Sequence, residues 1–207
     1  MPLDRTTHAL LLRQLYLSHY EQGRFAKARV VATQALELEV LVDVFHEDAA
    51  RAAMGEGDVN GAVSHLRCAA RRGPASRRPF HLWTLGSLLF LEHRYAEAIT
   101  ALELAVRCGT GDNPLFRAHL ALVRIAAGIH SDDVQASIDD LAAAPCGQGY
   151  GRFVLGHLAY AAQRWDVAEH QLQAFIERTR RGGVARTLAL DGELRMALAT
   201  LSKMSRN

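Results

Sequence analysis

The chain has 207 residues, 49% of them hydrophobic, with a formal net charge of +2 and a mean hydropathy of −0.03. That is enough apolar material to bury a substantial core without a metal or a disulfide. The charge is too mild for a nucleic-acid surface, which needs a concentrated basic stripe, and the basic residues are all arginine apart from Lys27 and Lys203, a bias of coding composition.

At the start of the chain an apolar run at residues 9–12 is cut by Arg13 and followed by no small-residue cleavage site, so a secretory signal is not expected. No stretch is long and apolar enough to predict a membrane span. Cys68, Cys108 and Cys146 are odd in number, far apart and outside any CxxC or Cys/His spacing. This pattern fits a reducing compartment, and the chain reads as cytoplasmic.

The predicted elements are helices in pairs, and small residues carry their period. Ala28, Ala62, Ala98 and Ala168 are separated by 34, 36 and 70 residues, the last being two units of 35. Ala35, Ala69 and Ala105 repeat the 34 and 36. Three residues before the first column stand Phe25, Val59, Tyr95 and Trp165, and the first helices carry Leu15-Tyr16, Ala49-Ala50, Leu85-Gly86, Leu120-Ala121 and Leu155-Gly156 in one phase. Gly23, Gly57 and Gly128 mark three of the turns. A fixed period of this length predicts a stacked array, with units at 7–40, 41–74, 79–110, 114–145 and 149–181. Arg72-Gly73-Pro74, Thr110-Gly111-Asp112-Asn113-Pro114 and Pro145-Cys146-Gly147 combine Gly with Pro and predict the turns between units.

The stretch 79–107 is the clearest unit. Leu82, Leu85, Gly86, Leu89 and Phe90 form one helical face, Tyr95, Ala98, Ile99, Leu102 and Ala105 another, and His93-Arg94 interrupts them. Gly86 and Ala98 sit where antiparallel backbones must cross closely. The pattern Leu82, Leu85-Gly86, Tyr95, Ala98, Ala105 resembles a tetratricopeptide repeat (TPR). The resemblance covers about five degenerate repeats and implies an all-α, right-handed superhelical solenoid of antiparallel helix pairs, about eleven helices in one domain over 1–207.

The fourth unit departs most from the pattern. Ser131-Asp132-Asp133 predicts a helix start, but His130, Asp133 and Asp140 stand where the family has an aromatic and two alanines, so a repacked or shifted helix is expected there. After Gly182-Gly183 a last helix is predicted over 184–203. It has Leu190, Leu194, Ala197, Leu198 and Leu201 on one side and Glu193, Arg195 and Lys203 elsewhere, the pattern of a helix capping the open end of an array.

Residues with chemical potential do not assemble into a motif. His46-Glu47 opens like HExxH, but Ala50 holds the place of the second His and Arg51 follows it. Gly147-x-Gly149-x-Gly151 precedes a predicted helix, yet no strand comes before it and no P-loop Lys after it, so it reads as a turn between repeats. The ten histidines offer no i, i+4 pair for a metal. Arg67, Arg71, Arg72, Arg77 and Arg78, and again Arg178, Arg180, Arg181 and Arg186, read as solvated corners, with an acidic-partner contact as the alternative. No enzyme activity, cofactor or metal is expected.

By the TPR resemblance, the first helix of each pair lines the concave side. Phase then places Leu10, Arg13, Leu17, Tyr20, Val44, Glu47, Arg51 and Met54 on a mixed surface in the first two units. In the last three it places Phe80, Trp83, Ser87, Phe90, Leu115, Ala118, Leu122, Ile125, Tyr150, Phe153, His157 and Tyr160, a stripe that is mostly apolar and has the character of an interface. The Lys and Asn with which some TPR proteins clamp a terminal carboxylate are not matched. The expectation is a protein-binding scaffold or chaperone-like adaptor, of the kind found among bacterial TPR proteins, whose groove holds an apolar extended or helical segment of a partner protein. The alternatives are a self-association module whose stripe packs on a second copy, giving a homodimer, and a regulatory domain sensing a peptide or small molecule. Neither nucleic-acid binding nor membrane insertion is expected. If metal and nucleotide are dispensable, chelators leave the melting temperature unchanged, whereas stabilisation by zinc or a nucleotide would contradict this reading.

Overall fold

The computed structural model describes residues 3–109, 111–129 and 134–206. These form twelve α-helices and one short 3-10 turn, with no strand among the described residues. The helices are α1 (Arg5–Glu21), α2 (Phe25–Leu36), α3 (Val42–Gly55), α4 (Val59–Arg72), α5 (Arg78–Leu91), α6 (Tyr95–Cys108), α7 (Asn113–Ala126), α8 (Val134–Ala143), α9 (Gly151–Ala161), α10 (Trp165–Arg181), α11 (Val184–Ala189) and α12 (Asp191–Met204). The chain divides into two compact units, Met1–Leu85 and Gly86–Asn207, and the division falls inside α5. Thr110, His130 and the helix start expected at Ser131-Asp132-Asp133 lie outside the described residues.

The pairs α1/α2, α3/α4, α5/α6, α7/α8 and α9/α10 follow the five predicted units. The alanines of both columns, Ala28, Ala62, Ala98 and Ala168 with Ala35, Ala69 and Ala105, are entirely buried. The reason is how closely paired backbones approach. A Cβ added at Gly86 would lie 2.6 Å from Leu102 Cγ, and one at Gly156 would lie 2.6 Å from Leu172 Cγ. Each pair of residues is sixteen apart, and the two glycines are 70 apart, two full periods. A side chain at either position must displace a core leucine in a region packed as densely as a crystal.

The turn inside each pair has one geometry in all five repeats. The second residue after the first helix is left-handed: Gly23 (φ 68°), Gly57 (77°), His93 (58°), Gly128 (73°) and Gln163 (59°). In each turn its N–H bonds the carbonyl three residues back, and the next N–H bonds the carbonyl five back, as in Arg94 N to Leu89 O at 2.8 Å and Arg164 N to Ala159 O at 2.9 Å. This closure satisfies carbonyls the helix end would leave unpaired. Glycine adopts it without steric cost, whereas His93 and Gln163 do not.

The expected shift in the fourth repeat is present and amounts to one residue. By the spacing of α6, residues 137 and 140 of α8 would face inward, but Ile138 and Leu141 are the buried ones and Asp140 is exposed. The turn at Gly128 keeps the period, so the offset arises after it. The Gly147-x-Gly149-x-Gly151 run sits in the 3-10 turn Pro145–Gln148 and the start of α9. A Cβ at Gly147 would meet the Leu141 carbonyl oxygen at 2.1 Å, and one at Gly151 the Cys146 carbonyl oxygen at 2.5 Å. Close backbone packing explains both glycines.

One helix was expected over 184–203, but the chain breaks at Leu190 (φ −117°, ψ 23°) into α11 and α12. The expected polar side of that helix also differs. Glu193 is buried at 6% exposure on the face of Ala197 and Thr200, while Leu198 is 41% exposed.

These close approaches and turns predict opposite outcomes for two substitutions in the second unit. Gln163→Gly relieves a left-handed side chain and raises stability by about 1 kcal/mol at most, offset by the added freedom of the unfolded chain. Gly86→Ala overpacks the α5/α6 crossing and costs about 1–3 kcal/mol. Thermal and denaturant melts of the two variants check both signs.

Candidate interaction surface

In the unit Met1–Leu85 the first helices bring together charged groups that are mostly buried. Asp43 of α3 accepts two hydrogen bonds from Arg77, at 2.7 and 2.8 Å, and lies 2.8 Å from His81 Nε2. His81 Nδ1 is 3.4 Å from Glu47, which in turn pairs with Arg51. Asp48, fully enclosed, accepts from Arg13 of α1 at 3.0 Å and from Arg51 at 3.3 Å. Burial alone would lift the Asp43 carboxyl, but the hydrogen bonds from Arg77 and His81 outweigh it and hold it at about 2. Burial disfavours the charged His81 ring, yet Glu47 and Asp43 on its two sides raise it above the ordinary histidine value. Asp48 is raised because burial outweighs its two arginines.

His46 does not act with Glu47 in any shared site. Its Nδ1 meets His65 Nδ1 at 3.1 Å, one ring donating to the other, and burial followed by the His65 charge lowers it to about 4. Of the arginines at the corner between the second and third repeats, Arg77 joins this network and Arg78 donates to the Ala70 carbonyl. Among the described residues no group of three or more His, Cys, Asp and Glu is arranged to hold a metal ion.

The residues singled out in the apolar stripe lie at different depths. In the first unit Phe80 is 41% exposed and packs its ring 5.5 Å from that of Trp83, which is buried. In the unit Gly86–Asn207, Ser87, Phe90, Leu115, Ala118, Leu122, Phe153 and His157 are buried, and Ile125, Tyr150 and Tyr160 are partly so. Tyr160 packs on Trp165 at the edge. Ser87, Phe90, Tyr150, Phe153 and His157 form one assembly around His119 of α7. The His119 ring stands edge-on to Phe90 at 5.5 Å and lies 5.9 Å from Tyr150, and Phe153 is 5.4 Å from Tyr150 and 4.4 Å from His157.

This assembly is covered by the chain itself. The helix α12 packs on α9 and α10. A Cβ at Gly192 would lie 3.0 Å from Leu91, Tyr150 Oη donates to Glu193 Oε1 at 3.0 Å, and Thr200 Oγ1 is 3.3 Å from His157 Nε2. The Ser87 hydroxyl completes a chain by bonding the Tyr150 hydroxyl. His157 Nδ1 donates to the Phe153 carbonyl at 2.8 Å, and the ring also meets the Met196 carbonyl of α12 beside the Thr200 hydroxyl. Burial lowers His157 to about 4 and His119 to about 3, keeping both neutral, and lifts the Glu193 carboxyl to about 7.

Spacing alone does not mark His81, His119, Glu193 and Thr200 as members of these networks. A usable signal exists for the last two: Glu193 and Thr200 are seven apart, as are Tyr150 and His157, so two helices present polar groups at matching two-turn intervals.

No protein-family model matches the chain, and no curated protein does. Among solved structures, the crystal structure of nearly identical TPR-like repeats from a Podosopora anserina kinesin light chain is similar over 100% of both chains, with a TM-score of 0.52 and 16% sequence identity. That likeness is one of fold, and with the helix pairs above it makes this chain a TPR-like helical repeat.

Two measurements follow from the burial. Phe153→Ala empties a fully enclosed ring site and costs about 3–5 kcal/mol of stability. The raised Glu193 carboxyl contributes stability that is complete below pH 4.5 and is lost as pH rises through about 7. Wild type minus Glu193→Gln therefore falls by on the order of 3 kcal/mol across that window, while Tyr150 stays protonated and His119 and His157 stay neutral in both proteins. Denaturant melts at pH 5 and pH 8 read the difference, and equal differences at the two values would refute it.

Proposed function

We propose that the chain is a non-catalytic protein-binding scaffold that takes an apolar-faced helical segment of another protein on the surface formed by its first helices. The observation that carries this reading is α12 itself. In the unit Gly86–Asn207 the first helix α9, with α10 beside it, already accommodates an amphipathic helix, burying Leu194 and Ala197 and bonding Glu193 and Thr200. Helix-in-groove recognition uses anchors at this kind of spacing. In the unit Met1–Leu85 the exposed Phe80 beside Trp83 offers an aromatic anchor of the type that dominates interfaces. A chaperone-like or assembly role would use the same surface. The titratable groups brought together by the fold bond one another rather than forming an accessible nucleophile and base. Cys68, Cys108 and Cys146 are unpaired thiols, which supports a reducing, cytoplasmic setting. No described helix is long and apolar enough to cross a membrane.

A second reading, self-association, is favoured by α1. Leu11 and Leu15 are exposed one turn apart on that helix, with Leu3 exposed on the chain leading into it. Two copies could bury this stripe against each other.

A photo-crosslinking residue in place of Phe80 and another in place of the exposed Val30 of α2 separate these possibilities. A protein partner crosslinks at 80 and not at 30. Crosslinking at neither position, together with a dimer in solution that Leu11→Glu splits, would transfer the function to self-association.

A further inference from the structure

We infer that α12 is the resident, displaceable occupant of a helix-binding face in the unit Gly86–Asn207, and that the partner helix this face takes carries an acceptor side chain, a small residue four positions on and a hydroxyl seven positions on. The inference rests on the protein-binding reading above. Its basis is a register. Tyr150 meets Glu193 and His157 meets Thr200, and both pairs are separated by 43 residues, so α12 runs parallel to α9 with two polar rungs two turns apart. Two turns of helix rise about 10 Å, which fixes the spacing a partner must reproduce.

The two rungs differ in chemistry. Tyr150 offers a donor to Glu193, because its own oxygen is engaged by Ser87, and the His157 ring, held at Nδ1 by the Phe153 carbonyl, turns Nε2 to the Thr200 hydroxyl. A helix presenting an acceptor at the first rung and a hydroxyl at the second is satisfied in this direction and this register. Reversed or slipped by one residue, it leaves a buried polar group unpaired, at the full desolvation cost of that group. Between the rungs Ala197 is completely buried, which leaves room for a small side chain only.

The tether of α12 is weakly fastened. It begins at Gly183, which is left-handed at φ +87°, passes through α11, in which no residue is buried, and breaks at Leu190. The outer edge of α12 leaves an open cleft of about 530 Å³ against α10, lined by Ile176, Arg180, Leu198 and Leu201. Helices with few buried side chains and loose connections open at lower free energy than the core they rest on.

Hydrogen exchange on the full-length chain tests the release. Amides of α12 should exchange at least about tenfold faster than those of α9, and Thr200→Val should speed α12 further while leaving α9 unchanged. A labelled peptide of residues 190–206 tests the register. It should bind the full-length Glu193→Lys chain at least about tenfold more tightly than wild type, and the same peptide carrying Thr200→Val should lose that gain. If α12 exchanges only as slowly as α9, the inference falls, while crosslinking at position 80 can still support the scaffold reading. If α12 opens but the peptide binds neither chain, the helix-binding face is wrong and the proposed mode of function falls with it. Should Glu193→Lys fail to fold, the exchange rates of wild type and Thr200→Val decide the matter.

Discussion

Everything in this molecule depends on how closely the two helices of a pair approach. At Gly86 and Gly156 there is no room for a Cβ against the facing leucine, and at Ala28, Ala62, Ala98 and Ala168 a methyl fills the space completely. Such contacts tolerate almost no change of volume, so the small residues keep their period while the rest of the surface varies. The turn is imposed by the same geometry. His93 and Gln163 adopt a left-handed backbone that glycine takes in the other three repeats, with the same pair of hydrogen bonds. The hairpin dictates the turn, and the residue conforms at a cost of about 1 kcal/mol.

Both units bury polar groups on the faces of their first helices, with different solutions. In Met1–Leu85 opposite charges neutralise one another: Asp43 with Arg77 and His81, Asp48 with Arg13 and Arg51. In Gly86–Asn207 the groups are largely neutral, and hydrogen bonds run in a line from Ser87 through Tyr150 to Glu193. The consequences for pH are opposed within the protein. His81 and Glu193, both raised, lose stabilisation as pH rises. His46, His119 and His157, all lowered by burial first, lose theirs as pH falls below 6.5. Neither network is a strong source of stability, since buried polar pairs offset much of their attraction in desolvation. What they supply is a definite arrangement.

The fold was legible because it is written in spacing. The alanine columns, the Leu-Gly pair and three turn glycines locate ten helices before any coordinate is known. The one-residue offset in α8 was visible as a mismatch at Asp140, though its direction was not, because periodicity gives phase only where the period is kept. The surface was less legible for a physical reason. Phase places Phe90, Phe153 and His157 on the face of a first helix but says nothing of what lies over it. Glu193 was assigned to the polar side of its helix because an isolated carboxylate belongs in water. Its own backbone N–H and the tertiary partner Tyr150 make its burial tolerable, and no local pattern announces a partner 43 residues away.

The pairing of Glu193 and Thr200 with Tyr150 and His157 also bears on why an apolar stripe would carry polar residues at all. A surface of Phe, Leu and Ala alone accepts any amphipathic helix, in either direction and in several registers, with similar burial. Two polar groups set two turns apart would remove most of those alternatives, because each wrong register strands a buried polar group. On the proposed reading the polar rungs lower the attainable affinity of the correct helix and lower that of incorrect ones further. A repeat array that only needed its end capped would gain more from an apolar side chain at 193, since a buried polar group offsets much of its bonding in desolvation. If α12 yields to a partner helix as proposed, the carboxyl at 193 is the feature that would make the face selective.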